Sequence, residues 1–553
     1  MYGIRRRYEL WHIISIGITL VYIIFLIVPM FRMLKESVVT AEDGFSFQNY
    51  FTFFSQAYYL NTIINSFKLS AATTFFSLII GVLLAYVCNL YRIKGHSVLQ
   101  VLIILSSMSA PFVGAYAWIL LLGRSGLITG LVKMVFDIKL PSIYGFNGVV
   151  LVLTTRLYPL VFMYVSGALK SMDNSLLEAA QNMGCGGFRR FFRIVMPLCM
   201  PSVLASALMV FMRAMADFGT PLLIGEGYRT FPVEIYKQYV GETSQNHGFA
   251  ATISVIAIIT TAMLFLIQKF VSNKYSFHIP FMSPIIPKKP KILLNILIHV
   301  YAYIIVLISM LPQAYLVYCS FRKTNAFGNF MAGFSLESYS RAWKFTETAI
   351  PNTLILGGIS LVIVVLMSIL IAYIVVRRKN FLNNTIDTLS MLPYIIPGSV
   401  VGIALVITFS SGPMVLTGTM AIMIVAMCIR RIPYTIRSSV AVLQQIPITT
   451  EEAAISLGAS KIKTFFRVTT PMMASGIISG AVLSWVSIIT ELSASIMLYS
   501  AKTQTLTLSI YVLVSRGTDG PACAVSTILL FFTVLSLVIF MLVSKNKDIM
   551  MKL

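Results

Sequence analysis

Glu178-Ala179-Ala180, Gly184, Phe191-Phe192-Arg193 and Pro197 recur 274 residues later as Glu452-Ala453-Ala454, Gly458, Phe465-Phe466-Arg467 and Pro471. Every position keeps its offset, and both copies lie in polar stretches between long apolar runs. A polar hinge repeated at matching places in two apolar halves predicts a paired contact with something outside the membrane. In each copy the small residues let another protein approach the backbone. Gly184 and Gly458 suit a positive φ that ends one short helix before the next begins. The stretches 188–194 and 462–468 read as short amphipathic helices whose aromatic side chains could enter a partner's groove. The following proline is expected to restart the chain into the next span. A single copy would read equally well as a helix lying on lipid headgroups; two copies at one offset favour docking.

Around the hinges the composition sets the class. Of 553 residues, 58% are hydrophobic and 11% charged, with a mean hydropathy of +0.86. Soluble domains carry about a quarter charged residues. A core cannot hide this much apolar surface, which predicts a polytopic membrane protein. The net charge of +23 comes from basic clusters in short loops beside apolar runs, a pattern of cytoplasmic loops and not of a nucleic-acid-binding stripe. No nucleic-acid partner is expected.

Apolar runs near 10–31, 64–90, 98–122, 148–170, 201–223 and 250–271, then 293–319, 353–376, 386–409, 416–438, 474–498 and 522–543, predict twelve helices. Pro111, Pro393 and Pro397 predict breaks in two of them. The run after Arg5-Arg6-Arg7 is too long for a signal-peptide core and lacks a small-residue cleavage site, so it reads as a retained first helix. Basic residues fill alternate loops: Arg5–Arg7, Arg92 with Lys94, Arg189 with Arg190, Lys288 with Lys289, Arg377 to Lys379, Lys461 with Lys463, and Lys545 with Lys547. The intervening loops carry Glu36, Glu42, Asp43 and Glu242. Both termini and both hinges are therefore expected in the cytoplasm of a cell-membrane protein.

The repeat extends beyond the hinges. Gly44-Phe45-Ser46 with Tyr50 matches Gly333-Phe334-Ser335 with Tyr339, and Ile235-Tyr236 matches Ile510-Tyr511. An even number of spans per half implies two parallel six-helix repeats related by an axis along the membrane normal. The expected divisions are a first half at 1–272 with its hinge at 178–197, a cytoplasmic linker at 273–292 broken by Pro280, Pro284, Pro287 and Pro290, and a second half at 293–553 with its hinge at 452–471.

Ionisable residues inside spans are costly and therefore candidate site residues. Asp217 and Glu491 are equivalent under the repeat, as are Arg156 and Arg430, each three residues before a proline. They read as a polar lining between the halves or as pairs that hold the bundle. Arg213, one turn before Asp217, could pair with it. Tyr58, Tyr59, Trp11 and Trp118 read most simply as anchors at the membrane interface. The six cysteines are scattered, and the five histidines, including His278, form no cluster, so no metal site or disulfide framework is indicated. No phosphate-binding loop is present, and no cofactor is expected.

With these residues in view, the chain resembles the fused, twelve-helix permeases of binding-protein-dependent ATP-binding-cassette importers, of the iron(III) type, over nearly its whole length. The resemblance implies an all-α integral membrane fold of the type I importer class. It implies that Glu178, Ala179, Ala180, Gly184 and Pro197, with Glu452, Ala453, Ala454, Gly458 and Pro471, form coupling helices for two copies of a separate cytoplasmic ATPase. An extracytoplasmic binding protein would deliver the cargo, and the chain itself would not be an enzyme. The motif usually has Leu before its last proline; Met196 and Thr470 stand there instead. Asp217-Phe218-Gly219-Thr220 and Glu491-Leu492-Ser493-Ala494 resemble segments of iron(III) permeases, so iron(III) or a small anionic complex is the expected cargo. Phosphonate, polyamine, thiamine and sulfate permeases share the architecture. A secondary transporter of two six-helix repeats is the rival of another class and would need no ATPase. A membrane enzyme would show clustered catalytic polar residues, which the sequence lacks.

Overall fold

The computed structural model describes residues 10–40, 44–185, 187–241, 246–274 and 287–543. Arg5–Arg7, Glu42, Asp43, Glu242, His278, Pro280, Pro284, Lys545 and Lys547 lie outside the described residues. Each of the twelve apolar runs falls on helix. Among the described residues nine helices are long and apolar enough to cross a membrane, or eleven if two bent pairs each count as one span. The Met420–Leu443 helix falls outside that count; it carries Arg430, Arg431 and Arg437.

The expected breaks occur at Pro111 and Pro397, whereas Pro393 lies within the Phe381–Ile395 helix. His96–Ser107 stops before Pro111–Leu122, and Phe381–Ile395 turns by 110° into Gly398–Phe409. Ala110 and Ile396, each just before a proline, are extended at ψ 135° and 127°, because the pyrrolidine ring excludes the helical region from the preceding residue. Pro197 behaves differently from the expected restart, whereas Pro471 directly precedes one. Each sits just after a π-helical turn, Phe191–Val195 or Phe465–Thr469; helix continues through Pro197 to Met215, but after Pro471 it ends at Met472 and bends by 69° into Ala474–Ile489. The widened turn makes room for a ring that would clash in a regular helix.

Small residues set the close helix contacts, as expected in lipid, where packing replaces hydrophobic drive. Gly476 and Gly480 lie one turn apart on the Ala474–Ile489 helix. A Cβ there would stand 2.6 Å from Ser438 O and 2.5 Å from Thr435 Cα of Met420–Leu443. The repeat is visible in single bonds: Ser37 Oγ to Tyr50 OH and Ser320 Oγ to Tyr339 OH are both 2.8 Å.

Three large cores divide the molecule. One joins both halves, with Phe112, Met215, Phe218 and Ile235 beside Val400, Leu492, Leu508 and Ile510. Each hinge rests on a core of its own, around Leu177, Phe191 and Val195 or around Phe465, Ile446 and Met473. The halves are therefore joined through one shared core, and each hinge core is built mainly by its own half.

The first helix of each half packs on the other half. Trp11, Ile18, Tyr22 and Leu26 belong to the core of the second hinge, and Arg32 Nη1 donates to Thr408 O at 2.9 Å. Reciprocally, Ile298, Ala302 and Val306 belong to the core of the first hinge, and Tyr301 OH donates to Ile80 O. Trp11 and Trp118 are buried, not interface anchors. The Trp11 ring stands 4.5 Å from Tyr373 and 5.1 Å from Phe465; the exchange of first helices carries it inward. Trp11→Ala should lower the stability of the purified protein by about 3 kcal/mol, the usual cost of emptying a buried aromatic site. A thermal midpoint equal to that of the parent would show that the exchanged helix contributes little.

Candidate coupling and translocation sites

Each hinge is a helix closed by the same capping geometry. Asn174–Asn182 ends with Gly184 at φ +77°, and Thr449–Ser456 is followed by Gly458 at φ +88°. In the first, Cys185 N–H donates to Ala180 O at 2.9 Å and Gly184 N–H to Gln181 O at 3.0 Å; in the second, Ala459 N–H donates to Ala454 O at 3.1 Å and Gly458 N–H to Ile455 O at 2.9 Å. This paired 6→1 and 5→2 pattern satisfies the last carbonyls and requires a left-handed residue, hence glycine. A Cβ on either glycine would touch nothing within 4 Å, so the requirement is conformational and not steric.

The cap pushes an apolar side chain outward on both copies. Met183 is 87% exposed and Leu457 is 89% exposed. Sequence reasoning passed over both, although each directly precedes its hinge glycine. Phe192 and Phe466 are exposed as well, while Phe191 and Phe465 are buried. The buried rings stack edge-on against Tyr86 at 4.7 Å and Tyr373 at 4.9 Å, which ties each hinge to a long helix of its half.

Beyond that shared anchor the hinges differ. Leu177 is buried in the first. Its counterpart Glu451 accepts from Arg377 Nε at 2.8 Å and from Tyr373 OH at 3.1 Å. In the first hinge Gln181 Oε1 accepts from Lys288 Nζ at 2.8 Å. Lys288 ends the described side of the linker and pairs with the backbone of Leu90 and Arg92. Glu178 and Glu452 are exposed, and Glu178 accepts from Asn174 Nδ2.

The intramembrane charges form one pair in each half. Arg156 Nη1 donates to Asp217 Oδ2 at 2.7 Å, and Arg430 Nη1 meets Glu491 Oε1 at 2.6 Å. Arg431, which the sequence reading did not single out, also binds Glu491. Each carboxylate accepts a backbone N–H three residues on, from Thr220 or from Ala494. Asp217 does not pair with Arg213. The helix has ended at Met215, so the one-turn geometry is lost, and the carboxylate turns toward Arg156 and the following cap. Gly398 lets Arg430 approach: a Cβ there would stand 2.0 Å from Ser493 Oγ and 2.6 Å from Arg430 Nη1.

On the seam between the halves Tyr236 OH meets Tyr511 OH at 3.2 Å. These residues are equivalent under the repeat, so their mutual contact marks the pseudo-twofold axis. Among the described residues no group of three His, Cys, Asp or Glu side chains could hold a metal ion.

Two parallel membrane halves, joined through a shared core and carrying matched hinges, define a two-half membrane transport component. The chain belongs to the family described as the binding-protein-dependent transport system inner membrane component, which matches residues 77–276 and again 364–546. It is similar to the ferric transport system permease protein FbpB of Actinobacillus pleuropneumoniae, 29% identical over 86% of this chain and 70% of that one. It is also similar to a putative ferric transport system permease protein of Haemophilus influenzae, 28% identical over 84% and 74%. The spermidine/putrescine permease protein PotB of Haemophilus influenzae is 28% identical over 44% of this chain and 87% of its own.

Proposed function

We propose that this chain is the membrane subunit of an ATP-driven importer that moves iron(III), alone or as a small anionic complex. The observation that carries this reading is the duplicated hinge, two identically capped helices that each present an exposed apolar side chain. Met183 and Leu457 are suited to enter two grooves of one kind, as two copies of a cytoplasmic ATPase would offer. An extracytoplasmic binding protein would deliver cargo at the opposite face, and both termini would lie in the cytoplasm. Iron is favoured because the ferric relatives are similar across both halves, over 86% and 84% of the chain.

In this reading ATP binding draws the two ATPase subunits together and moves the hinges. The Tyr86–Phe191 and Tyr373–Phe465 stacks pass the motion to the long helices. The shared core acts as the pivot, and the seam at Tyr236 and Tyr511 parts as the hinge ends close. Asp217, Glu491, Arg156 and Arg430 stand in the wall of the path, their pairs keeping it rigid.

The chain purified alone should hydrolyse no ATP. With its partner it should form a complex of one permease chain and two ATPase subunits, because one chain already carries both hinges. Native mass measurement decides this, and two permease chains per ATPase pair would overturn the reading. In proteoliposomes, ferric uptake should require both ATP and the binding protein.

A further inference from the structure

Arg213 is an intramembrane cation left without a carboxylate. None of the ion pairs among the described residues includes it. Tyr164 of its own half and Tyr394 and Tyr434 of the other stand around it, Tyr394 within hydrogen-bonding reach. Arg213 nevertheless remains accessible. A guanidinium turned to lipid is costly, and residues of both halves enclose this one. Its accessible surface therefore opens onto the space between them. Tyr394 OH also reaches across to Met209 Sδ at 3.1 Å, and the Tyr394 and Tyr434 rings meet edge-on at 5.5 Å.

The electropositive region continues into the second half. Arg431 lies over the Tyr434 ring at 5.8 Å, and Arg430 and Arg431 share the single carboxylate of Glu491. Arg213, Arg430 and Arg431 thus all stand near Tyr434, with Glu491 the carboxylate beside them. The Nε atoms of Arg430 and Arg431 are buried with no hydrogen-bond partner. Buried donors without acceptors are uncommon and call for an explanation, and an excess of buried cations calls for an anion. Under the 274-residue offset Arg213 corresponds to Ser487, so this feature belongs to one half only and is not demanded by the repeat.

We propose that Arg213, with Tyr164, Tyr394 and Tyr434 and backed by Arg430 and Arg431, forms an anion-binding subsite between the halves. Iron then crosses as an oxygen-ligated complex of net negative charge and not as a bare cation. The proposal rests on the importer reading above. Guanidinium and phenol groups are donors that suit carboxylate or phosphate oxygens.

The test uses the complete permease–ATPase complex in lipid nanodiscs, titrated with ferric citrate, citrate, inorganic phosphate and magnesium chloride, with thermal midpoint as the binding readout. Ferric citrate should stabilise the parent complex and magnesium chloride should not. Arg213→Gln should weaken the ferric citrate effect about tenfold or more, the loss of one charge-assisted contact. Arg213→Lys should keep most of it. The ligand-free midpoint of each variant reports folding separately. Unchanged anion binding by Arg213→Gln, or no anion binding by the parent, would overturn the subsite. Stimulation of ATP hydrolysis by the binding protein, measured on the same samples, reports on the importer reading independently: if it persists while anion binding is absent, only the subsite falls.

Discussion

A chain carrying Gly184→Val and Gly458→Val together is expected to insert, stay folded and lose most of its transport. Both glycines hold φ values of +77° and +88°, a region that costs an ordinary residue about 1–2 kcal/mol and a β-branched one more. Space is not the obstacle, since a Cβ meets nothing within 4 Å at either position. Valine escapes the strain only by leaving the left-handed region. That breaks the bonds from Cys185 to Ala180 and from Ala459 to Ala454, and it swings Met183 and Leu457 away from their present direction. The hinge cores around Phe191 and Phe465 lie on the other side of each cap, so the fold should survive. A barrier raised by about 1.4 kcal/mol slows a step tenfold, and two displaced hinges should exceed that. ATP-driven uptake in proteoliposomes is the measurement. Gly17→Val is the control, because Gly17 lies in the first helix with open space around its Cβ position. Undiminished uptake by the double variant would remove the hinge glycines from any coupling role.

Glu491→Gln should be far more destabilising than Asp217→Asn, although the two carboxylates are equivalent under the repeat. Glu491 balances both Arg430 and Arg431, whose side chains are 12% and 11% exposed. Removing the counter-charge of a buried pair costs about 3–5 kcal/mol, and here two guanidinium groups lose it. Asp217 balances Arg156 alone, whose side chain keeps 21% exposure. Asparagine at 217 can still accept the N–H of Thr220, so the loss should be about 1–3 kcal/mol, that of one hydrogen bond to a charged group. Thermal midpoints of the purified variants should show the difference, and uptake per folded molecule should follow separately. If Glu491→Gln is as stable as the parent but fails to transport, the charge acts on the path itself and its structural share is small.

The hinges were legible because their geometry is local: a glycine closes each helix within four residues of the carbonyls that its cap satisfies, and both copies repeat it. The breaks at Pro111 and Pro397 were legible for the same reason, since proline constrains its immediate neighbour. The partners of Asp217 and Glu491 were not, because Arg156 and Arg430 are some sixty residues away in sequence and only packing brings them close. Arg213 was nearer in sequence, yet the helix ends before Asp217. The burial of Trp11 was hidden likewise: its helix leaves its own half, and no periodicity of an apolar span tells which neighbour it will choose. Met183 and Leu457 were overlooked because an apolar residue in a polar loop is ordinary until the cap shows that it cannot turn inward.

The exchange of first helices also imposes an order on biogenesis. Leu10–Val38 leaves the ribosome well before Tyr373, Phe465 and Thr408, which it packs or bonds against and which belong to the second half. Until those are made its Val28–Val38 end can pack on its own half, where Thr252 Oγ1 donates to Ser37 O, while Trp11, Ile18 and Tyr22 lack their partners and Arg32 its acceptor. The second hinge core, in turn, closes on Trp11, a residue of the first half. Neither half, expressed alone, can complete its own hinge core. The two halves cut apart in the linker and produced together should find each other, because each then supplies the missing wall of its neighbour.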